Sequence, residues 1–197
     1  MQRLNKYAWL VLASATLLGA GSAMAVDGPI VAGGHSFARS QIVMGYVLHL
    51  NGAGLRRNRS LGIAYAAGLY LTSESTDSPS VMIMQGPKRL ELYMLSDMDS
   101  FDFSDELADA IRHNSSPTKF AAVESAMDRF ANLVGDLKRG DTLALDFVVG
   151  RGVRVSVNDE LRGAIDDDSL VRPILLAFIG SAPVDRKLKD SLLAGLK

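Results

Sequence analysis

The sequence predicts an α+β fold, and three observations carry that prediction. Apolar residues alternate with a period of two in an early block and again in a late block, the spacing of strands. Between and after those blocks they recur every three or four positions, the spacing of helices. The strand-like segments follow one another through short glycine turns, which suit antiparallel pairing and not parallel crossovers. Antiparallel strands with helices in separate blocks make α+β.

Each element follows in order along the chain. Residues Val26 to Ser40 are rich in glycine and small side chains, and read as an arm or a short first strand. Gln41 to Leu50 is one strand, with Val47 and His49 alternating against Leu48 and Leu50. Asn51-Gly52-Ala53-Gly54 is a turn or bulge signal. In Leu61 to Leu71, residues Leu61, Ile63, Tyr65, Ala67, Leu69 and Leu71 point one way and Gly62, Ala64, Ala66, Gly68 and Tyr70 the other. Both faces are apolar, so this is a central strand covered on both sides. Its small-residue face calls for something close to the backbone, a packed helix by preference or a bound ligand.

Ser78-Pro79 reads as an N-cap and first helical residue, opening a short helix that ends near Gly86. Lys88 to Leu95 is the next strand, and a helix from Asp105 to His113 follows it. A longer helix from Lys119 to Leu137 is capped at Ser116-Pro117 and buries one stripe of Phe120, Val123, Met127, Phe130, Val134 and Leu137. Asp141 to Val149 and Val153 to Val157 form a hairpin through Gly150-Arg151-Gly152, and a short strand runs through Ile165. Asp166 to Asp168 cap a helix from Ser169 to Ile179, and Asp185 to Leu196 is a last amphipathic helix.

The first residues stand apart from this pattern. Arg3 and Lys6 form a basic start, Ala8 to Ala20 an apolar run of about a dozen residues, too short to span a bilayer. Ala23-Met24-Ala25 is a small-x-small cleavage pattern. Residues 1–25 are therefore expected to be a signal peptide, with the mature domain starting at Val26 and periplasmic or secreted. No second long apolar segment follows, so no transmembrane segment is expected after cleavage. The chain of 197 residues has no cysteine and a formal net charge of −1. Losing Arg3 and Lys6 makes the remainder more acidic, which argues against a nucleic-acid partner. The remaining domain is long enough to bury a core without disulfides.

The chain has three histidines, His35, His49 and His113, and none pairs with another at metal-ligand spacing. Gly52-Ala53-Gly54 lacks the third glycine of a dinucleotide loop and the lysine of a phosphate loop. Neither a metal nor a cofactor is expected. Arg56, Arg57 and Arg59 remain. Arg57 and Arg59 read as solvated turn charges. Arg56 sits between Leu55 and the buried strand, where a guanidinium is costly unless it finds an anion. Tyr65 is placed to add a hydroxyl to the same anion.

The segments "NGAGLR", "YAAGLYL", "QGPKRLELYML" and "AFIGSAPVDRKLKDSLLAGL", in this order and spacing, resemble the chalcone-isomerase-like family, in its exported bacterial branch. The resemblance covers about residues 41 to 196. It implies an open-faced β-sandwich, a large antiparallel sheet with a layer of helices on one face and a ligand cleft between them. The family includes plant isomerases that close a chalcone to a flavanone. Those use an arginine after the glycine elbow, a strand threonine, and a tyrosine and an asparagine after the Gly-Pro strand. It also includes non-catalytic members that hold a fatty-acid carboxylate with an arginine and a tyrosine.

Carried onto this chain, the elbow arginine is Arg56, and Tyr65 stands where the isomerases have threonine. The isomerase tyrosine falls on or near Phe103, the asparagine near Ala110, and Arg89 roughly where the isomerases have a lysine. The resemblance therefore implies ligand contacts from Arg56, Tyr65, Arg89 and Phe103, with a fatty acid or similar amphiphilic anion as ligand. Arg56 and Tyr65 are nine apart, so in one uninterrupted strand they face opposite ways. Either Asn58-Arg59-Ser60 contains a bulge or turn, or Arg57 takes the place of Arg56. Two other readings stand beside the carrier: an isomerase acting on a phenolic substrate, and a protein-interaction module with a degenerate cleft.

Overall fold

The computed structural model describes residues 28–58 and 62–195. The expected signal peptide, its cleavage after Ala25, and Arg59 lie outside the described residues. A hairpin of β1 (Ile30–Ala32) and β2 (His35–Phe37) comes first. A seven-stranded sheet follows, of β3 (Ser40–Val43), β4 (Tyr46–Asn58), β5 (Gly62–Leu71), β6 (Lys88–Met94), β7 (Thr142–Val148), β8 (Gly152–Val157) and β9 (Glu160–Ile165). Its spatial order is the chain order, every neighbour antiparallel. The helices are α1 (Ser78–Ile83), α2 (Ser100–His113), α3 (Pro117–Ala121), α4 (Glu124–Val134), α5 (Val171–Ile179) and α6 (Arg186–Leu192). Among the described residues no helix is long and apolar enough to cross a membrane.

The sheet's two faces are different environments. Tyr65, Leu69, Leu90, Leu92, Leu145 and Val155 point toward the helices, where they pack with Phe103, Leu107, Phe130, Ile174 and Phe178 in the main core. This is the expected open-faced sandwich with its helical layer. The opposite face carries Ala66, Tyr70, Leu48 and Leu50, and the β1–β2 hairpin covers it with Phe37, Ile30 and Ala32. Here the structure corrects the sequence reading. The small-residue face of β5 receives the ring of Phe37 and not a helix. A Cβ on Gly68 would stand 2.8 Å from Phe37 Cδ1, closer than side-chain carbons approach.

Several element boundaries also differ from expectation: the last helix ends at Leu192 and not Leu196, the helix expected from Ser169 begins as a 3-10 turn before Val171, and three further differences have a clear local reason. The strand expected from Gln41 to Leu50 is two strands, reversed at Met44 (φ 50°) and Gly45 (φ 83°), the pair of positive φ angles of a tight hairpin turn. The helix α2 starts five residues early, because Asp99 accepts a bond from the Asp102 N–H at 2.8 Å and caps it. The helix expected from Lys119 to Leu137 is broken at Ala122–Val123. Phe120 turns to the rim, where the Arg112 guanidinium lies 4.6 Å from its ring, while Val123 and Met127 enter the core.

The Asn51–Gly54 stretch is no turn. It lies within β4, which bulges between Leu50 and Gly52. Asn51 is buried there, and its amide nitrogen donates to the Ser75 carbonyl at 2.8 Å and the Leu192 carbonyl at 2.7 Å. Gly52 and Gly54 leave the room in which α6 lies flat on the strand, since side chains at either would strike Ser191.

Candidate functional site

Arg56 and Tyr65 are direct cross-strand partners in the β4–β5 hairpin. The chain reverses between them, so nine residues of separation do not set them on opposite faces; facing pairs share a face. Asn58 pairs with Gly62, so the chain reverses just after Asn58, as the expected bulge or turn at Asn58–Ser60 requires; a register shift immediately after Arg56 also sets Arg57 opposite Ile63 and leaves Ala64 unmatched. Arg57 is exposed, and its backbone N–H donates to Asp185 Oδ2 at 3.2 Å.

The Arg56 guanidinium has found an anion, from the protein itself. Its Nε donates to Glu106 Oε1 at 2.9 Å and its Nη2 to Glu106 Oε2 at 2.8 Å, a bidentate fork. Its Nη1 donates to the Arg57 carbonyl and lies 3.8 Å from Asp185 Oδ2. The Tyr65 hydroxyl reaches the same carboxylate, 3.5 Å from Glu106 Oε1. Both side chains of the pair are largely covered, 13% exposed for Arg56 and 17% for Glu106. Burial pulls the Arg56 pKa down, but the hydrogen bond and negative charge of Glu106 outweigh it and raise the net value. Tyr65 is fully buried, and its pKa is held well above the ordinary phenol range by burial first and by the Glu106 charge second. It is therefore a neutral donor and not a base near neutral pH.

Beside this cluster a cavity of about 400 Å³ opens between α2 and the segment before α6, with Arg56, Asp105, Glu106, Asp109, His113 and Arg186 among its lining. The Nδ1 of His113 is tied to the Asp109 carbonyl at 2.8 Å. A larger cavity of about 660 Å³ lies elsewhere, against α1, α5 and α6, and touches neither Arg56 nor Tyr65.

Of the residues named from sequence, the structure brings Arg56 and Tyr65 together. Phe103 stands one turn before Glu106 on α2, buried in the core with its ring 6.5 Å from that of Phe130. It adds an apolar wall beneath the cluster. Arg89 does not join them. On β6 it points to the opposite face, where its Nε and Nη2 hold Asp146 at 2.6 and 2.9 Å and its Nη1 donates to Gln41 at 2.5 Å. Glu106 and Asp185 escaped sequence reasoning. The available signal was the requirement for an anion at Arg56, together with the position of Glu106 beside Phe103, Leu107 and Ala110 on the inward stripe of α2.

The arrangement is an internal carboxylate clamp, with Glu106 as its occupant. Two guanidinium N–H groups and one phenol converge on a single carboxylate at the rim of the sheet–helix core. The nearby Phe103 supplies no hydroxyl for acid–base work.

Comparison with known proteins agrees with the architecture. A family model described as chalcone isomerase-like matches residues 31–194. The crystal structure of a fatty-acid binding protein of Arabidopsis thaliana superposes with a TM-score of 0.63 at 18% identity, covering 81% of this chain and 92% of that one. No curated protein sequence matches the chain. With the match spanning nearly all of the described residues, and the sheet and helical layer in place, the chain belongs to the chalcone isomerase-like family.

Proposed function

We propose that the protein is a non-catalytic carrier of an amphiphilic carboxylate, such as a long-chain fatty acid, exported to the periplasm. The observation that carries this reading is the convergence of Arg56 Nε, Arg56 Nη2 and the Tyr65 hydroxyl on one carboxylate. Donors so arranged around a carboxylate suit a ligand's carboxylate equally well. Similarity to a fatty-acid binding protein supports the same ligand class. The apolar residues of the helix-facing sheet surface, with Phe103 beside them, are packed in the core, so a hydrocarbon tail reaches them only where the helical layer parts from the sheet beside Arg56. Each buried methylene is worth about 0.8 kcal/mol, so the tail supplies most of the affinity and the head group sets orientation.

Native mass spectrometry of the purified protein tests the carrier reading: a co-purifying lipid supports it. In a displacement titration with the neutral probe N-phenylnaphthylamine, Arg56→Ala is expected to weaken hexadecanoate but not hexadecanol. Equal losses would remove Arg56 as the carboxylate partner. Export is tested by the intact mass of the secreted protein, expected to begin at Val26; full-length chain in the membrane fraction would overturn it.

A docking role for another protein is favoured by one separate observation. The β3–β4 hairpin exposes Ile42 at 75%, Tyr46 at 53% and Val47 at 53%. That reading takes over if wild-type protein binds neither acid nor alcohol.

A further inference from the structure

We propose that Glu106 is an internal competitor at the Arg56 site, a carboxylate of the protein's own that a ligand displaces in order to bind. The inference rests on the carrier reading above. Glu106 takes both guanidinium N–H groups that face it, at 2.8 and 2.9 Å, and its Oε1 lies nearest the Tyr65 hydroxyl. Asp185 adds a second negative charge 3.8 Å from Arg56 Nη1. One cation thus already faces two carboxylates. A third carboxylate arriving with Glu106 still in place meets like charge at a locus only 13–17% exposed, where screening by water is weak.

Exchange avoids that repulsion and conserves the bonds. The incoming carboxylate takes Nε, Nη2 and the phenol, and Glu106 leaves. It has somewhere to go, because it also lines the cavity of about 400 Å³, whose rim carries Arg186 and His113. Departure needs a change of side-chain rotamer and no movement of α2, since Phe103 and Leu107 on either side of it are fixed in the core. The bonds gained by a ligand's head group are then offset by the bonds that Glu106 gives up. Wild-type protein should discriminate weakly between an acid and its alcohol, and Glu106 sets that discrimination.

The test measures hexadecanoate and hexadecanol by displacement of N-phenylnaphthylamine from wild type, Glu106→Gln and Glu106→Ala, with circular dichroism to establish that each is folded. Glu106→Gln keeps the volume and an acceptor while removing the charge, so it carries the test if the alanine variant unfolds. Hexadecanoate should bind both variants on the order of tenfold more tightly than wild type, with hexadecanol changed by less than about twofold. A purely structural role for Glu106 would weaken acid and alcohol alike. Acid affinity unchanged or reduced in the folded variants, while wild type binds both probes, overturns the competitor and leaves the carrier reading standing. If no form binds either probe, the carrier reading fails and the competitor with it.

Discussion

Gly68 is the clearest place to ask what the small-residue face of the central strand is for. Its φ lies outside the left-handed region, so the glycine is there for space and not for backbone freedom. It pairs with Ala53 on one side and Glu91 on the other, which prevents the strand from sliding. A methyl at this site meets Phe37 Cδ1 at 2.8 Å, Phe37 Cε1 at 3.0 Å and Leu50 Cδ1 at 3.1 Å. Ordinary carbon contacts are about 3.5–4.0 Å, so the fully buried ring must retreat. Overpacking of this kind costs about 1–3 kcal/mol, partly offset by the roughly 0.5–1 kcal/mol that alanine gains over glycine in the unfolded chain.

Gly68→Ala should therefore destabilise wild type by about 1–2 kcal/mol. Phe37→Ala alone should cost about 3–5 kcal/mol through the void it leaves. In the Phe37→Ala background the sign reverses: the new methyl enters that void and Gly68→Ala stabilises, by about 0.5–1.5 kcal/mol. Urea denaturation of the four proteins, read as midpoint and slope, gives the coupling. Additivity within about 0.5 kcal/mol would refute the reasoning, since it would mean that the ring is not what the glycine accommodates.

Three more outcomes follow from the two faces of the sheet. Arg89→Ala strands Asp146, which is 6% exposed, without its bidentate partner and should cost about 3–5 kcal/mol; replacing both with apolar residues should recover most of that, measured by the same denaturation. The Asp141 carboxyl is held below the ordinary range by the Asn158 amide and the Lys138 N–H, so its contribution is present above the unfolded value near pH ~4 and lost as pH falls through the depressed one; Asp141→Asn should flatten the decline of stability with acid. Chalcone cyclisation should stay near the spontaneous rate, because positioned acid–base groups contribute roughly 10²–10⁴-fold, Phe103 has no hydroxyl, and the Tyr65 hydroxyl faces Glu106. Absorbance loss well above background, abolished by Arg56→Ala, would refute that.

The sheet and its helical cover were legible because their periods are long-lived: the alternation in Leu61–Leu71 and the late Val153–Val157 hairpin needed no tertiary information. The reversal at Met44–Gly45 was hidden because β3 is four residues long and its alternation runs on into β4 across the turn. The parity difficulty between Arg56 and Tyr65 left two alternatives open in the sequence, and the cross-strand pairing selects the turn after Asn58 over Arg57 taking the place of Arg56. The need of Arg56 for an anion was readable from its neighbours. Which anion was not, because Glu106 lies 50 residues away and only the docking of α2 on the sheet brings it there. That Arg89 lies on the other face from Arg56 and Tyr65 was not legible, because position along a strand does not place a residue relative to a distant strand until the pairing is known.

The bulge at Asn51 has a consequence for the order of folding. The sheet is a meander, so each strand can add to the one made just before it, across connections that range from the two-residue turn at Met44–Gly45 to the helical segment of residues 95–141 between β6 and β7. The exception is the seat of α6 on β4, where the Asn51 amide waits for the carbonyl of Leu192, 141 residues later. During synthesis the polar groups of Asn51 and the bare backbone at Gly52 and Gly54 are complete only when residues 186–192 have emerged. That contact spans the largest sequence separation of those described for β4, so its closure carries the largest loop entropy and it is expected to form late. Until then one of the longest strands in the sheet presents an open glycine groove, which makes the early half of the protein dependent on a segment translated late.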